Sequence, residues 1–179
     1  MKPRAVNFRT SGMHLRRLEA HESSLLRELR LRALQDAPNS FRDTYVDIAA
    51  RPSSYWRDLT RSVTEANQDV MFLACEEDEE DRPVGSVFGL VDRVESQTGG
   101  VGGMWVDPKW RRRGIGEALL QEVVNWARER GFGRLRLWCV VDAAGPGSLY
   151  RKLGFQETGN QQPLSAESTL RVAEMELLL

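Results

Sequence analysis

The 179-residue sequence predicts a single α/β (α+β) domain built on a mixed sheet. Three observations predict it. Strand-like runs precede, flank and follow helical stretches, the signature of a mixed class. A hydrophobic content of 41% at this length is enough for one sizeable core. Residues 101–141 read as strand, turn, helix and strand, a βαβ unit whose crossover should be right-handed.

The elements follow in order. Residues 1–12 carry weak pattern and are expected to be a flexible lead-in to a domain spanning 13–179. "MHLRRLEA" (13–20) alternates as a short strand. "ESSLLRELRLRAL" (22–34) puts Leu25, Leu26, Leu29 and Ala33 on one helical stripe with arginines opposite, and Pro38 with Asn39 ends it. Residues 39–51 fit a helical turn or a loop equally well. "PSSYWRDLTRSV" (52–63) reads as a second helix with Pro52 at its start. "VMFLAC" (70–75) and "VGSVFGLV" (84–91) are the arms of a hairpin. Its tip carries six carboxylates, Glu76 to Asp81, which repel one another and are expected to be solvated. "VGGMWV" (101–106) is a glycine-softened strand. "IGEALLQEVVNWARERG" (115–131) is a helix with Leu119, Val123 and Trp126 on one face and Gly131 at its end. "RLRLWCVV" (134–141) has the apolar density of a buried strand, and "GSLYRKLGF" (147–155) is a short helix closing on Gly154. Residues 155–160 and 169–178 supply two last strands.

Composition excludes several classes of function. Lys and Arg number 25 against 26 Asp and Glu, a net charge of −1, so a nucleic-acid-coating surface is not expected. The two cysteines, Cys75 and Cys139, sit in separate apolar runs and read as buried reduced thiols, not as a disulfide or a metal site. The N-terminus lacks the apolar core of a signal peptide, and no run has the length of a membrane span. A cytoplasmic protein without metal or membrane partner is the expectation.

Against that balanced background, "WRRRGIGEALL" (110–120) stands out. It joins a strand to a helix. The helix start carries partial positive charge and unpaired N–H groups, and glycines there let a ligand approach the backbone. Successive N–H groups make a nest for phosphate oxygens, and arginines add charge-assisted hydrogen bonds. Arg111–Gly116 therefore reads as a diphosphate-binding turn. It is not a P-loop, for no Gly-x-x-x-x-Gly-Lys-Ser/Thr run exists. Nor is it the dinucleotide fingerprint, which would need a glycine where Leu119 stands.

The run Arg111-x-x-Gly114-x-Gly116, with "MWVDPKW" before it and "EALL" after it, resembles the acetyl-CoA motif of the GNAT N-acetyltransferase superfamily. "LYRKLGF" (149–155) resembles that family's second signature, and "LLRELRLRALQDAPNSF" its first helix and following loop. The resemblance spans roughly 13–179. It implies a mostly antiparallel mixed sheet in which strands 101–106 and 134–141 are parallel neighbours that splay, with acetyl-CoA wedged between them. Met104, Trp105 and Val106 would flank the pantetheine arm, with backbone groups near Met104 and Val106 pairing with it. Backbone N–H groups of Arg111, Arg112, Arg113, Gly114 and Gly116 would hold the pyrophosphate, with Ile115 packed inward and Glu117 completing the turn. The Val106 N–H would polarise the thioester carbonyl and stabilise the oxyanion. Tyr150 would protonate the departing thiolate, while Leu149 and Phe155 pack.

One departure from the family pattern is visible. Ala143 stands where the family usually has an asparagine for the pantetheine, and Pro146 where it has an alanine. Asp142 and Ser148 are the nearby polar substitutes. Asp92, Glu95 and Asp142 are candidate bases that read better as solvated carboxylates, so no base is assigned. His14 and His21 receive no role. Tyr45 and Trp56 fit an acceptor pocket or the core. The resemblance implies transfer of acetyl from acetyl-CoA to a small-molecule or peptide amine, in a family where homodimers are common. The alternatives are a non-catalytic acetyl-CoA sensor and, disfavoured by charge, a nucleic-acid binder.

Overall fold

Hydrophobic patterning resolves into one seven-stranded sheet in the computed structural model, which describes residues 12–65, 69–77, 81–141 and 146–179. The strands are β1 (Met13–Arg17), β2 (Val70–Glu76), β3 (Pro83–Val91), β4 (Thr98–Val106), β5 (Arg134–Val140), β6 (Gln156–Pro163) and β7 (Arg171–Leu178). Their spatial order is β1-β2-β3-β4-β5-β7-β6. Every neighbouring pair is antiparallel except β4 and β5. The helices are α1 (Ser23–Asp36), α2 (Tyr45–Ala49), α3 (Ser53–Thr64), α4 (Ile115–Glu129) and α5 (Pro146–Lys152).

Alternation along the strands sends apolar side chains to two cores. On one face Leu119, Leu120, Val123, Val124 and Ala127 of α4 bury against Phe72, Val87, Leu135, Leu137 and Met175. On the other, Leu26, Leu29, Ala33 and Leu34 of α1 and Trp56 and Val63 of α3 bury against Met71, Leu73 and Trp105. Helices α1 and α3 pack over β2, β3 and β4. Fully burying one such leucine stabilises the fold by about 1.5–3 kcal/mol, so these stripes hold the helices on the two faces of the sheet.

Several boundaries differ from expectation for local reasons. The ambiguous stretch 39–51 contains the short helix α2, started by Thr44, whose hydroxyl accepts the Asp47 N–H at 3.2 Å. Strand β4 begins at Thr98, because sheet pairing carries Gly99 and Gly100 into the ladder despite their poor strand propensity. Helix α5 stops at Lys152, ahead of Gly154 at φ +94°. The acidic tip is not wholly solvated. Asp81 accepts from Arg16 Nε at 2.7 Å and lies 2.8 Å from His14 Nε2. The lead-in 1–11 and Asp142 to Gly145 lie outside the described residues.

Candidate active site

The parallel pair is where the sheet opens. Strand β4 pairs with β5 only over Thr98–Gly100 against Arg134–Arg136, although both strands continue, to Val106 and Val140. On its other edge β5 stays paired with β7 as far as Val140. The facing edges beyond Gly100 and Arg136 are thus left apart, while each strand remains held from behind.

A bulge lies where the opening begins. Phe88 pairs with Gly102, and Ser86 with Trp105, so β4 carries one extra residue there. Gly103 takes φ +57°, and a Cβ on it would lie 2.6 Å from Phe88 Cδ2, so both the torsion and the space demand glycine. Bulges bend a strand and raise its twist. This one also exchanges faces. Val101 packs in the α4 core, whereas Trp105 lies in the α1 core and Met104 and Val106 pack toward α4. The Asp107 N–H bonds the Val84 carbonyl at 2.7 Å. By the two-residue alternation of an antiparallel ladder, Val106 and Met104 direct their backbone groups away from β3, toward the opening. Trp105 is turned from it in both respects. Its backbone pairs with β3, and its indole N–H donates to Asp36 Oδ2 at 2.9 Å. Only as a member of the strand does it belong with Met104 and Val106.

Helix α1 fastens the end of β4. Arg111 Nε donates to the Val106 carbonyl at 2.9 Å, and its Nη2 pairs with Asp36. Arg32 Nη2 donates to Asp107 Oδ2 at 2.7 Å and its guanidinium stacks 5.1 Å from the Trp105 ring. Burial works to raise the Asp107 carboxyl, but the Lys109 N–H and Arg32 hold it below its ordinary value. The Arg111 side chain is therefore a structural staple. Nothing in the pattern of "LRALQDAP" signals that Asp36 would receive it; the pairing joins positions 75 residues apart.

Past this staple the chain forms the expected turn. Arg112 has φ +61° and Gly114 φ +80°, and α4 begins at Ile115, whose side chain is buried. The first helical bond runs from the Ala118 N–H to the Gly114 carbonyl at 3.0 Å, so the N–H groups of Ile115, Gly116 and Glu117 have no helical acceptor. The Arg111 N–H is already turned to the Pro108 carbonyl, at 3.4 Å. Arg113 lies over the Trp110 ring at 4.7 Å, beside a cavity of about 320 Å³ that Arg82, Lys109 and Asp107 also line.

Helix α5 docks on this turn. A Cβ at Gly116 would stand 3.2 Å from Leu149 Cδ2, and Lys152 Nζ pairs with Glu117 Oε2 at 2.5 Å. Glu117 thus ties α5 to the first turn of α4. Tyr150, next to Leu149, is 8% exposed and packs edge-on to Phe155, with centroids 5.9 Å apart. Burial, with Cys139 nearby, pushes the Tyr150 phenol above its ordinary value.

The remaining candidates separate clearly. Asp92 accepts the Val94 and Glu95 N–H groups, which hold its carboxyl low, and Glu95 pairs with Arg136 Nη1 at 2.8 Å. Both carboxylates are engaged in structure. Trp56 is a core residue, while Tyr45 on α2 is exposed. His21 is exposed, and His14 lies with Cys75 and Asp81 in a cluster whose carboxylate Arg16 already neutralises. Both cysteines are buried free thiols, with burial pushing Cys75 up to about 12. Among the described residues no helix is long and apolar enough to cross a membrane.

Both the sequence and the fold have known relatives. The profile described as "Acetyltransferase (GNAT) family" matches residues 31–155. An uncharacterized N-acetyltransferase of Methanocaldococcus jannaschii is 33% identical over 90 residues, 48% of this chain and 39% of that protein. An aminoglycoside N(6')-acetyltransferase type 1 of Stenotrophomonas maltophilia is 33% identical over 105 residues, 56% of this chain and 68% of its own. The chain thus matches about two fifths of the length of the first relative. In fold it is similar to the ribosomal-protein-S5-alanine acetyltransferase of Vibrio fischeri, with a TM-score of 0.78 at 13% identity, over 98% of this chain and 96% of that one. With more than half of its length matched by the family profile, the chain belongs to the GNAT acetyltransferase family.

Proposed function

We propose that the protein transfers the acetyl group of acetyl-CoA to a primary amine by direct attack in a ternary complex. The observation that carries this reading is the opening between β4 and β5, with a helix start and a glycine turn at its end. The residues present fit the co-substrate. The left-handed backbone at Arg112 and Gly114, with the N–H groups of Ile115, Gly116 and Glu117 left without helical acceptors, is what a nest for phosphate requires. In this reading the N–H groups of Arg112 to Gly116 hold the pyrophosphate. Because the Arg111 N–H and guanidinium are already engaged, Arg111 shapes the turn more than it contacts phosphate.

Bound acetyl-CoA supplies an activated acyl thioester. The Val106 N–H, directed into the opening, stabilises negative charge developing on the acyl oxygen. Tyr150 acts on sulfur. Its phenol is held protonated by burial, so it is a donor and not a base. Asp142 and Ala143 lie outside the described residues, and a base is not assigned. A cytoplasmic setting, where free thiols such as Cys75 and Cys139 stay reduced, fits this reading. The test pairs acetyl-CoA titration with thiol release over a panel of simple amines, amino sugars and N-terminal peptides. Amine-dependent thiol release is expected. Tight acetyl-CoA binding without release for any amine would favour the sensor alternative.

A further inference from the structure

Sequence alternation places Trp138 on the opposite face of β5 from Leu137 and Cys139, which are buried in the α4 core. Helices α1 and α3 cover that opposite face over β2 to β4, and Trp138 remains 42% exposed. It stands two residues beyond Arg136, where pairing with β4 ends, and so at the lip of the opening. Its cross-strand partner on β7 is Glu174, and direct partners project from the same face.

Glu174 is held in place from β6. Thr158 Oγ1 and Asn160 Nδ2 both donate to its Oε2, at 2.7 and 2.8 Å. The β6 bulge between Glu157 and Gln161, with Gly159 at φ +92°, lets both side chains reach it. Its neighbour Glu176 is neutralised by Arg134 and Arg136, and Arg171 turns to Gln161. Among the described residues, no cation pairs with Glu174. An oriented carboxylate beside an exposed indole is the chemistry that receives an ammonium group, by charge and by the face of the ring.

Resting on the acetyl-transfer reading above, we propose that Trp138 and Glu174 bind a second cationic group of the acceptor, so that the preferred substrates are small dications such as polyamines or amino sugars. Strands lie about 4.8 Å apart, which puts Glu174 on the order of 5–10 Å from the opening. The second ammonium therefore sits several bonds from the reacting amine.

The test compares 1,5-diaminopentane with n-pentylamine, for the wild type and for Glu174→Gln and Trp138→Leu. Calorimetric titration into the CoA-saturated protein reads binding, and thiol release reads turnover. The wild type is expected to bind the diamine about tenfold or more tightly than the monoamine, the scale of a hydrogen bond to a charged group. Glu174→Gln, which keeps the shape and the Thr158 contact, should bring that ratio close to one, and Trp138→Leu should reduce it. Equal binding of the two amines by the wild type, or a ratio unmoved by Glu174→Gln, would overturn the proposal. If no amine releases thiol, the acetyl-transfer reading fails, while the binding ratio still decides this one.

Discussion

Replacing Tyr150 by Phe removes one oxygen and keeps the ring packed edge-on to Phe155. Stability should change by less than about 1 kcal/mol, since the apolar contacts persist. The catalytic effect follows from the state of the phenol. A leaving alkyl thiolate is a base comparable to or weaker than a phenolate, and burial raises Tyr150 further. Complete proton transfer from the raised Tyr150 phenol to a thiolate is then uphill. In the proposed reaction the hydroxyl would act chiefly as a hydrogen-bond donor to the charge gathering on sulfur, worth about 1.5–3 kcal/mol. That predicts a fall in kcat of about ten- to 150-fold, with the KM for acetyl-CoA little changed. The assay is continuous thiol release at saturating amine across the pH range. The sign of the pH dependence is set by the protonated form being the active one. With its value raised, wild-type activity is retained through the ordinary tyrosine range near 10 and lost only above it. Unaltered kcat in Tyr150→Phe would remove the residue from the reaction. An alkaline fall at or below 10 would refute the buried, raised phenol.

Two further perturbations test how the opening is built. Gly103→Ala meets a left-handed torsion and a 2.6 Å contact with Phe88. The torsion alone costs about 1–2 kcal/mol, so thermal unfolding should fall by roughly 2–8 °C with acetyl-CoA affinity falling as well; an unchanged midpoint would remove the bulge from the account. Arg111→Lys separates staple from phosphate ligand. A lysine keeps the charge but cannot span both Asp36 and the Val106 carbonyl, so its acetyl-CoA Kd should rise about as much as that of Asp36→Asn. A silent Asp36→Asn alongside a weakened Arg111→Ala would instead make the side chain a direct phosphate contact.

Much of this fold was legible in the chain because its signals are local. The stripe of Leu26, Leu29 and Ala33 on α1, the faces of α4, and the glycine turn at Gly114 all depend on neighbours within a few residues. The short helix α2 was not legible, since it rests on one Thr44 cap and one buried Ile48. Strand β4 reads short in the sequence because glycine hides strand pattern, and its face exchange is invisible there because a bulge breaks the alternation from which faces are read. Around the site, the motif pointed to the turn but not to what holds it. Asp36, Arg32 and Glu117 act through partners 35 to 75 residues away, and charged residues on a helix carry no sign of such partners. The same limit applies to Trp138, whose apolar run predicts burial. Its exposure follows from which strands α1 and α3 cover.

One extra residue on β4 links these features. Without the bulge, Trp105 would share the face of Val101 and point into the α4 core, already filled by Leu119, Leu120 and Val123. With it, Trp105 reaches the α1 face, and its indole finds Asp36. That carboxylate also receives Arg111, whose second contact is the Val106 carbonyl. The bulge thus bends β4 and also brings to its end the side chain through which α1 holds it. Val106 keeps its N–H toward the opening, while its carbonyl is occupied by Arg111. A strand end that offers an N–H while its own carbonyl is engaged suits an incoming carbonyl oxygen better than another strand. On the proposed reading, this asymmetry is what lets the gap take an acyl group without closing into a continuous sheet.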